Sequence, residues 1–286
     1  MSALKTALVT GSTSGIGRAT AITLAAQGIF VVISGRDQER GQAAVDTIRS
    51  AGGSAALILK DLSLPEGPAE LAREATEAAG GQIDILINNA AAGFYALAEM
   101  TTVEDFERVF VLNTRAPALL TGALAPAMAQ RGRGVIINVT AVAAQIGQAG
   151  LTLFGASKAA LGSMTRTWAA EYGSRSVRVN AAEIGAITTP DNPGATEVLE
   201  TSLAVSRLFG RAQLKKPQQS LFSLLPQQPR TFIALFFLWI VAHSSHHPWP
   251  CPTNSLAVRM YEVLFRDRTM SILRTALVDP GGNTYT

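Results

Sequence analysis

Phe154 and Lys158 stand four residues apart in the stretch LFGASKAAL (residues 153–161). On a helix that spacing places a ring and an ammonium on one face, with no hydroxyl between them. The ammonium offers three hydrogen-bond donors, whereas the phenyl ring can neither give nor take a proton.

A second group of residues carries a different chemistry. The segment TGSTSGIG (residues 10–17) follows a strand-like run and opens a helical one. In that context Gly11 permits a tight turn, while Gly15 and Gly17 let the backbone approach a pyrophosphate and the helix pack close to the sheet. The helix N-terminus then faces the anion. Gly11, Ser14, Ile16 and Gly17 are the expected coenzyme contacts of this loop.

The second strand-like run ends in VVISGRD, where the side chain after the strand selects between two coenzymes. An acid there binds the ribose 2′-hydroxyl of NAD, and an arginine accommodates the 2′-phosphate of NADP. Gly35 leaves room and Arg36 presents a forked donor. Asp37 is the competing candidate for the ribose, but it also sits where the next helix needs its N-cap. The expected coenzyme is therefore NADP (NADPH), ahead of NAD.

These loops need elements to hold them. Short β-branched runs (KTALVT, FVVISG, SAALIL, IDILINN, GVIINVT, VRVNAA) alternate with alanine-rich helical stretches, one of which extends over residues 103–130. Buried strands alternating with helices predict right-handed crossovers and an α/β fold, a doubly wound parallel sheet with helices on both faces, in a single domain. The 286 residues, 48% hydrophobic and 16% charged, supply a large core. A formal net charge of +3, spread along the chain, gives no footprint for nucleic acid. One cysteine, Cys251, makes no internal disulfide, and the chain starts directly into a strand pattern, so a cytoplasmic protein is expected. The longest uncharged apolar run, residues 231–242, is shorter than the ~20 residues of a membrane span.

Taken in order, TGSTSGIG, KDL with Asp61, NNAA at residues 88–91, VLNTRAP with Asn113, Lys158 and VRVNAAEIGAITT resemble a short-chain dehydrogenase/reductase. The resemblance runs from about residue 5 to residue 211, with a weaker match at the C-terminus. It implies a Rossmann fold and hydride transfer between a nicotinamide and a small carbonyl or alcohol substrate, run by an Asn, Ser, Tyr, Lys set. It places Asp61 beside the adenine, Asn89 against the coenzyme, Lys158 on the nicotinamide ribose, and Ile187 and Thr189 on the nicotinamide. It also implies a homo-oligomer, a dimer or a tetramer.

The catalytic set is incomplete. Phe154 occupies the tyrosine position, and thirteen residues earlier Ala141 occupies the serine position, leaving Asn113 and Lys158. Loss of a general acid or base removes ~10²–10⁴-fold in rate. Thr140 neighbours Ala141, but strand alternation is expected to turn it away from the site. Tyr95, after NNAA, is a hydroxyl that could swing in, with Thr152, Ser157 and an ordered water on Asn113 and Lys158 as further candidates. Ala91 stands where the pattern has glycine, and Ile184 where it has proline.

Regularity fails after residue 211. The expected division is a catalytic and nucleotide-binding region over residues 1–211, a hydrophobic, Pro- and Gln-rich segment over 212–258, and a closing helix and strand of the same domain over 259–286. Residues 217–258 contain one charged residue, Arg230, and read as a lid, a membrane-surface element or unselected sequence. His243, His246, His247 and Cys251 match no common zinc spacing, so no metal is assigned. Three functions are consistent with the chain: an NADP-dependent oxidoreductase with impaired or non-standard acid/base catalysis, a silent nucleotide-binding relative acting as a partner subunit or sensor, and a protein holding an unrelated ligand in the same cleft.

Overall fold

The computed structural model describes residues 5–185. The boundaries expected at 211 and 258, the segment between them, the histidine cluster, the closing strand, Ile187 and Thr189 lie outside the described residues. Six strands form one sheet: β1 (Thr6–Thr10), β2 (Phe30–Gly35), β3 (Ala55–Leu59), β4 (Ile85–Asn88), β5 (Gly134–Ala141) and β6 (Val177–Ile184). Every pairing is parallel and the order is β3-β2-β1-β4-β5-β6. The order reverses between β1 and β4, which opens a crevice at the carboxyl ends of those two strands. The expected doubly wound, Rossmann-type sheet is what the chain forms.

The strands read as unbroken apolar runs because both faces are covered. Ala7, Val9, Val31, Ile33, Ile85 and Ile137 pack under α1 (Gly15–Ala26) and α2 (Gln38–Ser50). Their neighbours Leu8, Val32, Leu86 and Ile136 face the other way, against α3 (Gly67–Ala78), α5 (Ala116–Gln130) and α6 (Thr152–Gly173). The sequence reading did not anticipate α3. Its signals are Pro68 at the start and Leu71, Ala72 and Ala75, apolar residues that the fold buries at helical spacing.

The single helix expected over residues 103–130 is instead α4 (Val103–Phe110), a π-helical turn (Val111–Arg115) and then α5. Pro117 supplies the reason. It has no N–H to give the carbonyl four residues back, that of Asn113, so the α-helical ladder cannot run through this point. The turn widens, and the Ala116 N–H reaches the Val111 carbonyl five residues back. Asn113 is the centre of that turn.

A buried polar chain fixes α6 against the sheet. Asn88 Nδ2 donates to Asn138 Oδ1 at 2.8 Å, and Asn138 Nδ2 donates to Thr165 Oγ1 at 2.8 Å. This linkage joins β4, β5 and α6, and α6 carries Phe154 and Lys158 in its first turns.

Candidate active site

The glycine loop between β1 and α1 is shaped by positions that exclude a side chain. Gly11 and Gly15 have φ of 61° and 52°, the left-handed region that glycine adopts freely. A Cβ on Gly11 would also lie 2.8 Å from Ala90 Cα, and one on Gly17 would lie 2.5 Å from Asn89 Nδ2. The loop therefore packs directly onto the end of β4.

Asn89 seals that contact. Its Nδ2 donates to the carbonyls of Thr10 and Gly11 at 2.9 and 3.0 Å, and its backbone N–H donates to Thr10 Oγ1 at 3.0 Å. Ala90 N–H donates to the same hydroxyl at 3.0 Å. Ser12 holds the other side: its N–H donates to the Ser34 carbonyl and its hydroxyl accepts from Ser34 N–H. Thr13 fills the space left by Gly35. Thr10 and Ser12 were not anticipated as site residues; their only sequence signal is that small hydroxyl residues flank the glycines.

Ser14 is the N-cap of α1 in an extended conformation, and its hydroxyl makes no capping bond. The first N–H groups of α1 have no helical acceptor, and with the helix dipole they form an anion site lined by glycine backbone. Ile16 packs against the core beneath it. Glycine at 11 and 17 lets the loop lie against Ala90 and Asn89, and the helix N-terminus held there presents backbone N–H groups that suit a dinucleotide diphosphate.

At the ends of β2 and β3 the competing acids are already engaged. Asp37 caps α2, accepting from Arg40 N–H at 2.9 Å and from Arg40 Nε at 2.7 Å, and these bonds hold its carboxyl below the usual range. Asp61 accepts from the N–H and hydroxyl of Ser63, which lower its pKa. Arg36 lies 3.9 Å from Asp61, a loose pair, and its side chain is 74% exposed. The forked donor at the end of β2 is thus available, whereas the acid beside it is committed to a helix cap.

The other half of the crevice holds the residues for chemistry. Asn113 is buried: its Oδ1 accepts from Ala92 N–H at 2.7 Å, while its Nδ2 donates to Ala92 O and Ser157 Oγ, each at 3.0 Å. Ser157 Oγ in turn donates to Phe154 O at 2.8 Å. The Asn113 amide therefore clamps the loop after β4 to α6, and the Ser157 hydroxyl is used within this clamp. The Asn113–Ser157 bond, spanning 44 residues, had no sequence signal.

Lys158 is buried, with Nζ donating to Val139 O at 2.8 Å and lying 5.9 Å from the centroid of the Phe154 ring. Burial lowers its pKa from the ordinary 10.5 to about 8. Ala141 ends β5, paired in register with Ile184 on β6.

The expectation for Thr140 requires correction. Thr140 and Ala141 do alternate, but Asn138, on the same face as Thr140, reaches Thr165 on α6. Thr140 consequently faces the layer that carries Phe154 and Lys158, and does not turn away from it. Tyr95 lies over Gly150, where an added Cβ would come within 2.7 Å of its Cζ, so the ring is packed on the loop that leads into α6.

Residues 5–197 match the family model for short chain dehydrogenase. An uncharacterized oxidoreductase of Thermotoga maritima is 38% identical over 177 residues, covering 62% of this chain and 69% of that one. A metagenomic short-chain oxidoreductase solved in complex with NADP aligns with a TM-score of 0.61 at 32% identity, covering 69% of this chain and 90% of its own. A 7α-hydroxysteroid dehydrogenase solved with NADH and 7-oxo glycochenodeoxycholic acid aligns with a TM-score of 0.63 at 34% identity, covering 65% and 72%.

Gly17→Ala tests the cradle. The methyl group must displace Gly11 or Asn89, so NADPH affinity is expected to fall by at least about tenfold, a loss of ~1.4 kcal/mol, while far-ultraviolet circular dichroism stays unchanged. Fluorescence titration with NADPH reads the effect, and an unchanged affinity contradicts this account of the loop.

Proposed function

The chain belongs to the short-chain dehydrogenase family, and from that premise we propose that it is an NADP(H)-dependent oxidoreductase of a small carbonyl or alcohol substrate, with impaired or non-standard acid–base catalysis. The observation that carries this reading is a helix N-terminus reached through a glycine loop, beside an exposed Arg36 only loosely paired with Asp61 and an Asp37 committed to a helix cap. Gly11, Ser14, Ile16 and Gly17 would hold the diphosphate, Arg36 the 2′-phosphate, Asp61 the adenine side and Lys158 the nicotinamide ribose. Asn89 acts through the loop it braces. Ile187 and Thr189 are assigned to the nicotinamide by the family pattern alone.

When bound, the reduced nicotinamide supplies a hydride to the carbonyl carbon. The protein must orient the substrate, exclude water and deliver a proton to the carbonyl oxygen. Phe154 and Ala141 offer no hydroxyl for either task. That deficit also supports a second reading, a silent nucleotide-binding relative acting as a partner subunit or sensor.

A homo-oligomer is part of the proposal. Val103 is 70% exposed on α4, Phe106 and Phe110 stack beside it with centroids 4.3 Å apart, and Met100 and Leu119 add exposed apolar surface. Exposed apolar side chains of this kind suit an interface with a second copy of the chain. Phe106→Glu is expected to convert a dimer or tetramer to a monomer in light scattering; a native chain that is already monomeric contradicts this assignment. Among the described residues no helix is long and apolar enough to cross a membrane. A cytoplasmic setting suits a chain with one cysteine.

Two further measurements test the function. Arg36→Ala removes a charge-assisted fork worth ~1.5–3 kcal/mol, so NADPH is expected to bind about 10–100-fold more weakly with NADH little affected; equal losses for both coenzymes contradict the choice of NADP. In a panel of small carbonyls with NADPH, Phe154→Tyr combined with Ala141→Ser is expected to raise kcat by ~100-fold or more over measurable native turnover. Native chain with no turnover, and activity only in the double variant, selects the silent reading.

A further inference from the structure

We propose that the carbonyl or alcohol taken by this site is uncharged and apolar, its hydrocarbon part lying against the segments that follow β4 and β5, and that anions and polyols are poor substrates. The proposal rests on the oxidoreductase reading above and names a substrate class for it.

Composition is the first argument. Residues 89–98 (NAAAGFYALA) leave the carboxyl end of β4, and residues 142–151 (VAAQIGQAGL) leave the carboxyl end of β5. Neither segment contains a charged residue, in a chain where 16% of residues are charged. Connections at a surface are ordinarily polar, because water solvates their side chains and backbone. Here Tyr95, Leu97, Val142 and Ile146 are 38%, 39%, 38% and 43% exposed. Exposed apolar side chains gathered beside reactive groups are the lining that a hydrocarbon ligand covers.

Position is the second argument. The coenzyme cradle takes the β1 side of the crevice, and these segments border the half that carries the chemistry. Asn113 bonds to Ala92 in the first segment. Ala141 immediately precedes the second, and Phe154 stands in the first turn of the helix that follows it. The two segments also meet. Ala96 N–H donates to Gly150 O at 2.9 Å, and the Tyr95 ring packs on Gly150, whose φ of 80° favours glycine. The N–H groups of Gln145 and Ile146 donate to Val142 O. The apolar side chains therefore stand on a braced backbone, which reduces the ordering cost of covering them.

The charges at the borders disfavour an anion. Arg108 reaches the first segment, its guanidinium 5.5 Å from the centroid of the Phe94 ring, but it is paired with Asp105 at 3.3 Å. Lys158 is buried and gives an N–H to Val139 O. On β6, Glu183 stands in register with Thr140, and its carboxyl is hydrogen-bonded to Gln145 of the second segment. Burial pushes the pKa of that carboxyl up, so its surroundings do little to stabilise negative charge. A substrate carboxylate would bring a second negative charge to the same border.

A polyol lacks partners as well. Asn89 is committed to the carbonyls of Thr10 and Gly11, and Gln145 to Glu183. The other polar side chains of the two segments are Tyr95 and Gln148. A hydroxyl taken from water without a hydrogen-bond partner is costly to bury, whereas each methylene gains from burial.

Calorimetric titration of straight-chain 2-ketones, from butan-2-one to decan-2-one, into the native chain saturated with NADP reads binding without requiring turnover. Affinity is expected to rise about two- to fourfold per methylene along the series. A 2-oxo acid of equal length is expected to bind at least about tenfold more weakly than the ketone. Leu97→Asp combined with Ile146→Asp should weaken decan-2-one binding by at least about tenfold and leave NADP affinity within about twofold. The series on the native chain decides the matter even where the double variant fails to fold. A flat series, a preference for the oxo acid, or a folded double variant that binds decan-2-one as the native chain does overturns the proposal and leaves the oxidoreductase reading standing. Failure of the native chain to bind NADP or NADPH sinks that reading, so the coenzyme titration distinguishes the two failures.

Discussion

Asn89 reaches back from the end of β4 and donates to the carbonyls of Thr10 and Gly11, and the geometry of the nucleotide cradle depends on that reach. The bonds satisfy backbone acceptors that would otherwise be buried unpaired, and they set the height of the glycine loop above the sheet. Only glycine at 11 and 17 permits the approach, since a methyl group at either position would enter the space of Ala90 or Asn89. The loop in turn fixes where α1 begins and where its unsatisfied N–H groups point. An anion there would meet backbone donors whose arrangement is already set by the fold.

The second half of the site follows a different logic. Asn113 and Ser157 join the loop after β4 to α6, and Asn88, Asn138 and Thr165 join β4 and β5 to the same helix. The first clamp holds the opening turns of α6 and the second its middle, and neither uses the side chain of residue 154. The scaffold therefore tolerates Phe154 and Ala141 without losing the position of Lys158. A buried ammonium beside an aromatic ring is destabilised relative to water, and the displacement of its pKa expresses that cost. The same environment makes its proton easier to release.

What the sequence made legible was whatever local backbone chemistry controls. Glycines at 11, 15 and 17 declared a loop that no other residue could form, and Asp37 before an amphipathic helix declared a cap that the structure contains. The apolar strands announced a sheet covered on both sides. The features that were missed depend on distance or on weak local signals. Helix α3 does alternate Leu71, Ala72 and Ala75 with charged residues at helical spacing, but its apolar face is built mostly of alanine and is easily passed over. The π turn arises from one proline inside an otherwise helical run. Alternation correctly opposed Thr140 to Ala141, but which face meets α6 is decided by Asn138 and Thr165, 27 residues apart. The clamp of Asn113 on Ala92 and Ser157 likewise joins segments that only the folded chain brings together.

The central claim is that the diphosphate of a dinucleotide sits against the first N–H groups of α1, inside the loop that Asn89 braces. A crystal structure of the native chain grown in saturating NADPH tests it most directly. The account predicts diphosphate oxygens within hydrogen-bond distance of the backbone N–H groups at residues 15–17, with the 2′-phosphate against Arg36. Coenzyme density elsewhere, or a loop whose backbone closes over the helix terminus under those conditions, contradicts it.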